Sequence, residues 1–379
     1  MKKLFSNRGV LIIVAACLLT GCGTVDVYQK YHKSVVMIYH TYLYQVTMGA
    51  SSWYFTYDKE KQTINEWNTD LSQIKQPLAS YGTGFFIDGE GRIATNKHVV
   101  DDWFGSYEAT VRNILRDWMQ NNVLSYGHQK DSATQRISEW SAIRYDLNRT
   151  DEERENAGTQ VDAWQRLQSE WAGDQNYYDG LLSSLGEAKF KVVTLFLGYA
   201  LDGTHTDNIN DYKECVKTNV SKDDNIDLAL IQTKDKKLPS DVSDPIRLDD
   251  VTNDGQVKVG EDVALVGYNW GPVIASSDKG LRVQKTDGKI SQESDGIRVL
   301  YSIPSLAGSS GSPVFNKSGK LVAINYAGYS TTQSFNYGIL AKYLKTLAVR
   351  RGREKTFKNK IGNPSFFLSN PSSTRGKDI

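Results

Sequence analysis

Ser310 lies in a glycine-rich loop whose composition suits a nucleophilic serine. Residues 307–315 read Ala-Gly-Ser-Ser-Gly-Ser-Pro-Val-Phe. A serine hydroxyl becomes a nucleophile only when a base takes its proton and the resulting oxyanion is stabilised. Gly308 lets the backbone turn its N–H inward beside the N–H of Ser310, and two such donors form an oxyanion hole. Taken alone, the pattern fits an ordinary Gly/Ser loop before a strand equally well.

His98 is the histidine whose sequence context best suits a general base. It follows a predicted strand, in Thr-Asn-Lys-His-Val-Val over residues 95–100, and Gly-Thr-Gly-Phe-Phe-Ile over 82–87 precedes that strand. The other histidines lack this context and are interpreted as structural or exposed: His32, His40, His128 and His205.

Asp227 is the candidate for the carboxylate that orients this imidazole. It begins Asp-Leu-Ala-Leu-Ile over residues 227–231, an acid at the head of an apolar strand. A buried carboxylate there accepts the imidazole N–H and fixes the tautomer. Asp223 and Asp224 are neighbours, but they lie in the polar turn before the strand and rank below Asp227.

The three candidates occur in the order His, Asp, Ser, which is typical of the chymotrypsin-like double β-barrel. The α/β-hydrolases run Ser, acid, His, and their nucleophile turn would need glycine at position 312, where this chain has Ser312. The order therefore favours a mainly β protein over an α/β-hydrolase.

Short alternating segments with Gly-rich turns predict many strands, as in β-barrels or a sandwich. The predicted strands lie at 34–47, 85–87, 93–95, 189–201, 212–217, 227–233, 262–267, 298–302, 313–316 and 321–325.

One long segment, at about 103–188, has apolar residues at helical spacing instead. We expect two to four helices there, with helix starts at the capping boxes Ser132 to Gln135 and Thr150 to Glu153. Residues 48–80 are predicted to form a second, irregular insertion, a long loop rich in Trp and Tyr.

The first 22 residues resemble the export signal of a bacterial lipoprotein. Lys2, Lys3 and Arg8 precede an apolar run that is about half the length of a membrane-spanning helix, and Leu-Thr-Gly-Cys follows at 19–22. We expect cleavage before Cys22 and lipidation of its thiol; an uncleaved anchor and an ordinary secretory signal are the alternatives. By resemblance to enterobacterial lipoproteins, Gly23 indicates the outer membrane, facing the periplasm.

Cysteine content and charge limit the other classes of protein. Cys17 leaves with the signal and Cys22 takes the lipid, so Cys215 has no disulfide partner and is interpreted as a small strand hydrophobe rather than a reactive thiol. The signal carries three basic and no acidic residues, so the mature chain has a net charge near −2. The sequence has no basic face of the kind that would indicate a nucleic-acid partner. It also has no motif that requires a metal or a cofactor.

These motifs resemble the HtrA/Deg branch of trypsin-like serine proteases. The resemblance rests on residues 82–87, 95–100, 225–231, 257–268 and 288–291, while 310–316 is closer to the staphylococcal glutamyl endopeptidases. It covers about 34–101 and 189–345. It implies a chymotrypsin-like double six-stranded β-barrel, with a catalytic triad of His98, Asp227 and Ser310 and an oxyanion hole formed by the amides of Gly308 and Ser310.

The resemblance also implies a substrate pocket and several departures from the family. Pro304, Asn325, Tyr326 and Ala327 would contact substrate, and the position six residues before the nucleophile holds proline where trypsins hold an acid. Small or aliphatic side chains are therefore the expected substrate class. About 35 residues follow Leu344, so no PDZ domain is expected, and Ser309 stands where zymogens carry Asp, so activation by N-terminal cleavage is not expected.

Two functions remain open from the sequence. The first is a serine endopeptidase acting on unfolded or envelope polypeptides without a cofactor. The second is a lipoprotein that binds a partner through the helical insertion, on a protease scaffold with a latent or inactive site. The predicted boundaries are a signal peptide at 1–21, a linker at 22–33, a first barrel at 34–245, a second barrel at 246–345 and a basic polar tail at 346–379.

Overall fold

The structure, a computed structural model, describes residues 25–58, 60–101, 107–252, 257–328 and 335–358. Its strands are β1 (Val35–Met48), β2 (Ser51–Asp58), β3 (Thr63–Asn68), β4 (Leu78–Phe86), β5 (Arg92–Thr95), β6 (Lys189–Ala200), β7 (Lys213–Val220), β8 (Ala229–Thr233), β9 (Asp262–Gly267), β10 (Ser276–Ser277), β11 (Gly280–Leu281), β12 (Gln284–Gln292), β13 (Arg298–Tyr301), β14 (Pro313–Asn316), β15 (Leu321–Gly328) and β16 (Asn336–Leu340). Its helices are α1 (Val27–Tyr31), α2 (Lys97–Val100), α3 (Tyr107–Tyr145), α4 (Asp151–Ser184), α5 (Pro272–Ala275) and α6 (Ala341–Lys358). Short 3₁₀ turns lie at His32–Ser34, Leu71–Gln73, Leu185–Glu187, Ile209–Asp211 and Leu248–Asp250.

Two antiparallel barrels form the body of the protein. The first closes in the order β1, β4, β5, β8, β7, β6, because β1 pairs with both β4 and β6. The second closes in the order β12, β13, β16, β15, β14, β9. The helical insertion joins α2 to β6 and so belongs to the first barrel. The predicted fold class, a chymotrypsin-like double six-stranded β-barrel with this insertion, is confirmed.

The predicted loop at 48–80 is instead a β-hairpin. Strand β1 runs on past the barrel and pairs with β2, which pairs with β3. Alternate aromatic residues hold this extension in place: Trp53, Phe55 and Tyr57 are buried against the base of the helical insertion. A period-two aromatic pattern is a strand signal, and the irregular turns around it concealed that pattern.

The insertion is one long antiparallel pair of helices, α3 and α4. Helix α4 starts at the predicted capping box, in which Thr150 accepts from the N–H of Glu153 and the Glu153 carboxylate accepts from the N–H of Thr150. The predicted start at Ser132 is wrong, because that residue lies inside α3. Helix α3 has 39 residues and is therefore about 60 Å long. The polar stretch around Ser132 stays helical because it packs along α4.

The predicted linker and the predicted tail both contain parts of packed helices. In the predicted linker, α1 buries Val27 and Tyr31, and the Tyr31 ring stacks on Phe315 of the second barrel. The predicted tail begins inside α6, which buries Leu344 and Leu347. Each segment is short and mixed in composition, so its few apolar positions give only a weak helical pattern in the sequence. They are buried only because the barrels offer a surface to pack against. Residues 359–379 lie outside the described residues.

Candidate active site

His98 and Asp227 meet where the first barrel's β5 and β8 pair. Thr95, the last residue of β5, lies opposite Ala229, the first residue of β8. The chain beyond Thr95 therefore runs beside the chain before Ala229. The Nδ1 of His98 lies 2.5 Å from Oδ2 of Asp227, and the backbone N–H of His98 donates to Oδ1 at 3.0 Å.

The carboxylate of Asp227 fixes the histidine tautomer. Asp227 is fully buried, whereas the His98 side chain is about one-third exposed. An ionised carboxylate can only accept hydrogen bonds, so the proton of this contact belongs to Nδ1. Nε2 is then the nitrogen that can take a proton from a nucleophile.

Asn96 supports this pair and was not among the predicted site residues. Its Nδ2 donates to the backbone carbonyl of Asp227 at 2.7 Å, and the side chain is fully buried. The contact ties the residue before α2 to the turn before β8. The only sequence signal was its place two residues before His98, which does not identify a partner 131 residues away.

Ser310 lies at the junction of the two barrels, three residues before β14. Its carbonyl accepts from the backbone N–H of Thr83 at 2.7 Å. The carbonyl of Thr83 accepts from Oγ1 of Thr95 at 2.7 Å. Thr95 lies three residues before His98. The structure therefore brings the Ser310 loop of the second barrel against the strands that carry His98 in the first.

The backbone around Gly308 forms a tight turn that leaves two N–H groups without a protein acceptor among the described residues. The N–H of Ser309 donates to the carbonyl of Leu306 at 3.0 Å, and Gly308 has φ +90°. A positive φ at the third residue defines a type II turn, and glycine adopts it without strain. Among the described residues, neither the N–H of Gly308 nor that of Ser310 donates to a protein acceptor. Two unpaired amides are what an oxyanion hole requires.

The side chain of Asn325 is at the centre of a buried polar cluster next to this loop. Its Oδ1 accepts from the hydroxyl of Tyr301 at 2.7 Å, and its Nδ2 donates to Oγ of Ser305 at 3.0 Å and to the carbonyl of Ser309 at 3.1 Å. Ser305 and Tyr301 were not among the predicted site residues, because they meet Asn325 only in the folded barrel and lie 20 and 24 positions away from it. Every side chain in the cluster is uncharged.

The other predicted substrate contacts occupy different environments. Pro304 is exposed next to Ser305, and Tyr326 is partly buried in β15. The backbone of Ala327 lies opposite Tyr337 of β16. Their part in binding substrate remains a prediction. Cys22 lies outside the described residues.

His40 is buried in the first barrel, with its Nε2 3.0 Å from Oγ1 of Thr194. Burial, with a smaller contribution from the nearby charge of Lys217, lowers its pKa from 6.5 to about 4, although a hydrogen bond to the Val99 backbone and the charge of Asp101 oppose the shift. Below pH 6.5 the unfolded chain takes up a proton that the folded chain does not. The free energy of unfolding therefore has its full value above about pH 6.5 and decreases as the pH falls towards 4.

We expect this histidine to cost the wild type about 3 kcal/mol of unfolding free energy between pH 7 and pH 4. Glutamine does not titrate. Over the same pH range the free energy of unfolding of His40→Gln should therefore fall by about 3 kcal/mol less than that of the wild type. Urea unfolding of both proteins at pH 7 and at pH 4 measures the difference. Equal losses in the two proteins would exclude His40 as the cause.

The described residues form neither a metal site nor a membrane-spanning helix. In the described ranges, no group of three or more His, Cys, Asp or Glu side chains is arranged to hold a metal ion. The same part of the chain contains no helix that is both long and apolar enough to span a membrane. Cys215 is buried in β7, and burial raises the pKa of its thiol.

One protein-family model matches part of the chain. Residues 200–324 match the trypsin-like peptidase domain. This match supports a trypsin-like serine protease. The matched segment contains Asp227 and Ser310, while His98 precedes it. No curated protein sequence matches the chain.

The solved structures that resemble the fold include a serine endoprotease from Yersinia pestis. The two are 12% identical with a TM-score of 0.41, and the match covers 87% of this chain. It covers 66% of the Yersinia chain, slightly under two thirds of its length.

Proposed function

We propose that the protein is a serine endopeptidase that hydrolyses polypeptides through His98, Asp227 and Ser310. The observation that carries the proposal is the inter-barrel junction, where a buried carboxylate orients His98 and the Ser310 loop is held beside the same strands. The match of residues 200–324 to a trypsin-like peptidase domain supports the same chemistry.

Each group has one role in the proposed reaction. His98 takes the proton of Ser310 as the oxygen attacks the substrate carbonyl, and Asp227 stabilises the imidazolium that forms. The N–H groups of Gly308 and Ser310 bind the oxyanion of the tetrahedral intermediate. His98 then gives its proton to the leaving amine, and water releases the acyl group by the reverse sequence. No step requires a metal or a cofactor.

The uncharged cluster at Asn325 supports a substrate with an uncharged side chain. Its neighbours Ser305 and Ser309 offer hydroxyls rather than a carboxylate, so a lysine or arginine would bury its charge without a partner. Small or aliphatic side chains are the class we propose. The Asn325, Tyr326 and Ala327 backbone, on β15, would pair with the substrate as an added strand.

We also propose that the protein is a lipoprotein held in the bacterial envelope through Cys22, at the outer membrane facing the periplasm. The backbone N–H of Val25 donates to the carbonyl of Lys317 at 3.1 Å. Cys22 precedes Val25 by three positions, which span at most about 11 Å. A lipid on Cys22 would therefore hold the second barrel close to the membrane surface.

A fluorophosphonate probe tests the proposed activity. The chain from residue 23 onward should cleave denatured casein and become labelled at Ser310, and Ser310→Ala should lose both properties while its thermal unfolding is unchanged. Absence of labelling and cleavage in the unmodified chain would refute the peptidase. A partner-binding protein on a protease scaffold, with the α3 and α4 pair as the binding element, would then replace it.

A further inference from the structure

Thr83 of the first barrel makes four hydrogen bonds at the junction with the Ser310 loop. Its hydroxyl donates to the carbonyl of Gly308 at 2.8 Å and accepts from the N–H of Tyr268 at 3.1 Å. Its own N–H donates to the carbonyl of Ser310 at 2.7 Å, and its carbonyl accepts from the hydroxyl of Thr95 at 2.7 Å. The residue is fully buried. One first-barrel residue therefore holds carbonyls on both sides of Ser309.

We propose that the Thr83 hydroxyl is a positioning group that sets the geometry of the oxyanion hole. The inference rests on the proposed peptidase function and extends it to a residue outside the triad and outside the hole itself. Thr83 does not contact the substrate in this proposal. It acts through the backbone of Gly308.

The planarity of the peptide bond links the Gly308 and Ser310 donors to the carbonyls that precede them. In a trans peptide, the carbonyl of one residue and the N–H of the next point in opposite directions. Ser309 has its carbonyl held by the N–H of Ser312 at 3.0 Å and by Nδ2 of Asn325 at 3.1 Å, which turns the N–H of Ser310 away from the protein. That donor is therefore positioned from within the second barrel.

The Gly308 donor depends on the first barrel instead. The Thr83 hydroxyl holds the Gly308 carbonyl, and the following N–H of Ser309 closes the turn on Leu306. Among the described residues, the carbonyl of Ala307 accepts no hydrogen bond. The orientation of the Ala307 to Gly308 peptide, and of its N–H, is thus set through its two flanking Cα atoms by the turn that these bonds hold. Without the hydroxyl, the Gly308 carbonyl loses its partner and the turn can take the alternative peptide orientation.

Threonine suits this position because its side chain is short, β-branched and able to donate and accept at once. Val would keep the shape and remove the hydroxyl, whereas Ser would keep the hydroxyl and remove a methyl group. These two substitutions therefore separate the hydrogen bond from the packing.

The matched control is Thr233, which has the same pattern far from the site. It is buried, its hydroxyl donates to the carbonyl of Lys237 at 3.1 Å, and it accepts from the N–H of Lys237 at 3.2 Å. Thr233→Val therefore measures the structural cost of removing a buried threonine hydroxyl that both donates and accepts.

The experiment compares wild type, Thr83→Val, Thr83→Ser and Thr233→Val on one fluorogenic peptide chosen from the casein cleavage sites. Thr83→Val should lower kcat by about 10- to 100-fold with KM unchanged within about threefold, because a displaced donor costs less than an absent one. It should weaken binding of a peptide boronate, which forms a tetrahedral adduct, by a similar factor. Thr83→Ser and Thr233→Val should remain within about threefold of wild type.

Hydrogen exchange of the segment 306–311 gives a readout that needs no turnover. Exchange should be faster in Thr83→Val than in Thr83→Ser. The inference is overturned if Thr83→Val keeps wild-type kcat and exchange, if Thr83→Ser is as impaired as Thr83→Val, or if Thr233→Val shows the same loss. If Thr83→Val does not fold, Thr83→Ala replaces it under the same criteria. Failure of the wild type to react with the fluorophosphonate would count against the peptidase itself, and the exchange comparison would still decide the role of Thr83.

Discussion

Asp227→Asn is expected to lower kcat by about 10⁴-fold while leaving the fold intact. The substitution keeps the size of the side chain and removes the charge that faces Nδ1 of His98 at 2.5 Å. An amide in that place can donate a hydrogen bond to Nδ1 and so favour the wrong imidazole tautomer, and it cannot stabilise the imidazolium. Steady-state cleavage of a fluorogenic peptide, with thermal unfolding as the check on folding, measures the effect.

Asp224→Asn is the control for this prediction. Asp224 lies in the same turn, is about 80% exposed and forms an ion pair with Lys97 at 3.5 Å. Exposed ion pairs contribute little to stability, so its loss should change kcat by less than about threefold. Equal effects of the two substitutions would show that the turn as a whole, rather than the carboxylate of Asp227, supports activity.

Gly311→Ala is expected to abolish activity and to lower the free energy of unfolding by about 3 kcal/mol or more. Gly311 has φ +91°, and a Cβ there would lie 2.0 Å from the carbonyl oxygen of Thr83 and 2.5 Å from Oγ1 of Thr95. The Thr83 backbone cannot move without disturbing its hydrogen bonds to the second barrel, and the Thr95 hydroxyl cannot move without losing its bond to Thr83. Urea unfolding and fluorophosphonate labelling measure the two effects.

Gly173→Ala provides the opposite case. Gly173 lies inside α4, and a Cβ there would meet nothing within 4 Å. Alanine lowers the backbone entropy lost on forming a helix, so this variant should be about 0.5–1 kcal/mol more stable and fully active. A stable, active Gly311→Ala protein would contradict the packing of the inter-barrel junction.

The local motifs carried most of the information about the candidate site. A serine between glycines, a histidine after a strand and an aspartate before one are short-range patterns, and their order favoured a double barrel. The structure places His98 against Asp227 and joins the Ser310 loop to the same strands. Asn96 and Thr83 were quoted within the motifs, but their roles were not predictable because each bonds to a residue more than 100 positions away.

The elements outside the barrels were predicted less well. The aromatic hairpin at 51–68 has the period of a strand, but its apolar face is buried only where the base of the α3 and α4 pair covers it, so the sequence predicts a loop there. Helix α1 has only Val27 and Tyr31 to bury, and the surface that accepts them belongs to the second barrel.

The sequence by itself therefore determined the fold class, the helical insertion and the three residues that could act together, because these depend on residue type and spacing along short segments. Only the tertiary structure decided how the Ser310 loop is held. The Asn325 hydrogen bond to Ser309 forms only once the second barrel has closed. The Thr83 hydrogen bond to Gly308 joins segments that are distant in sequence, and its geometry exists only once both barrels have closed and packed together.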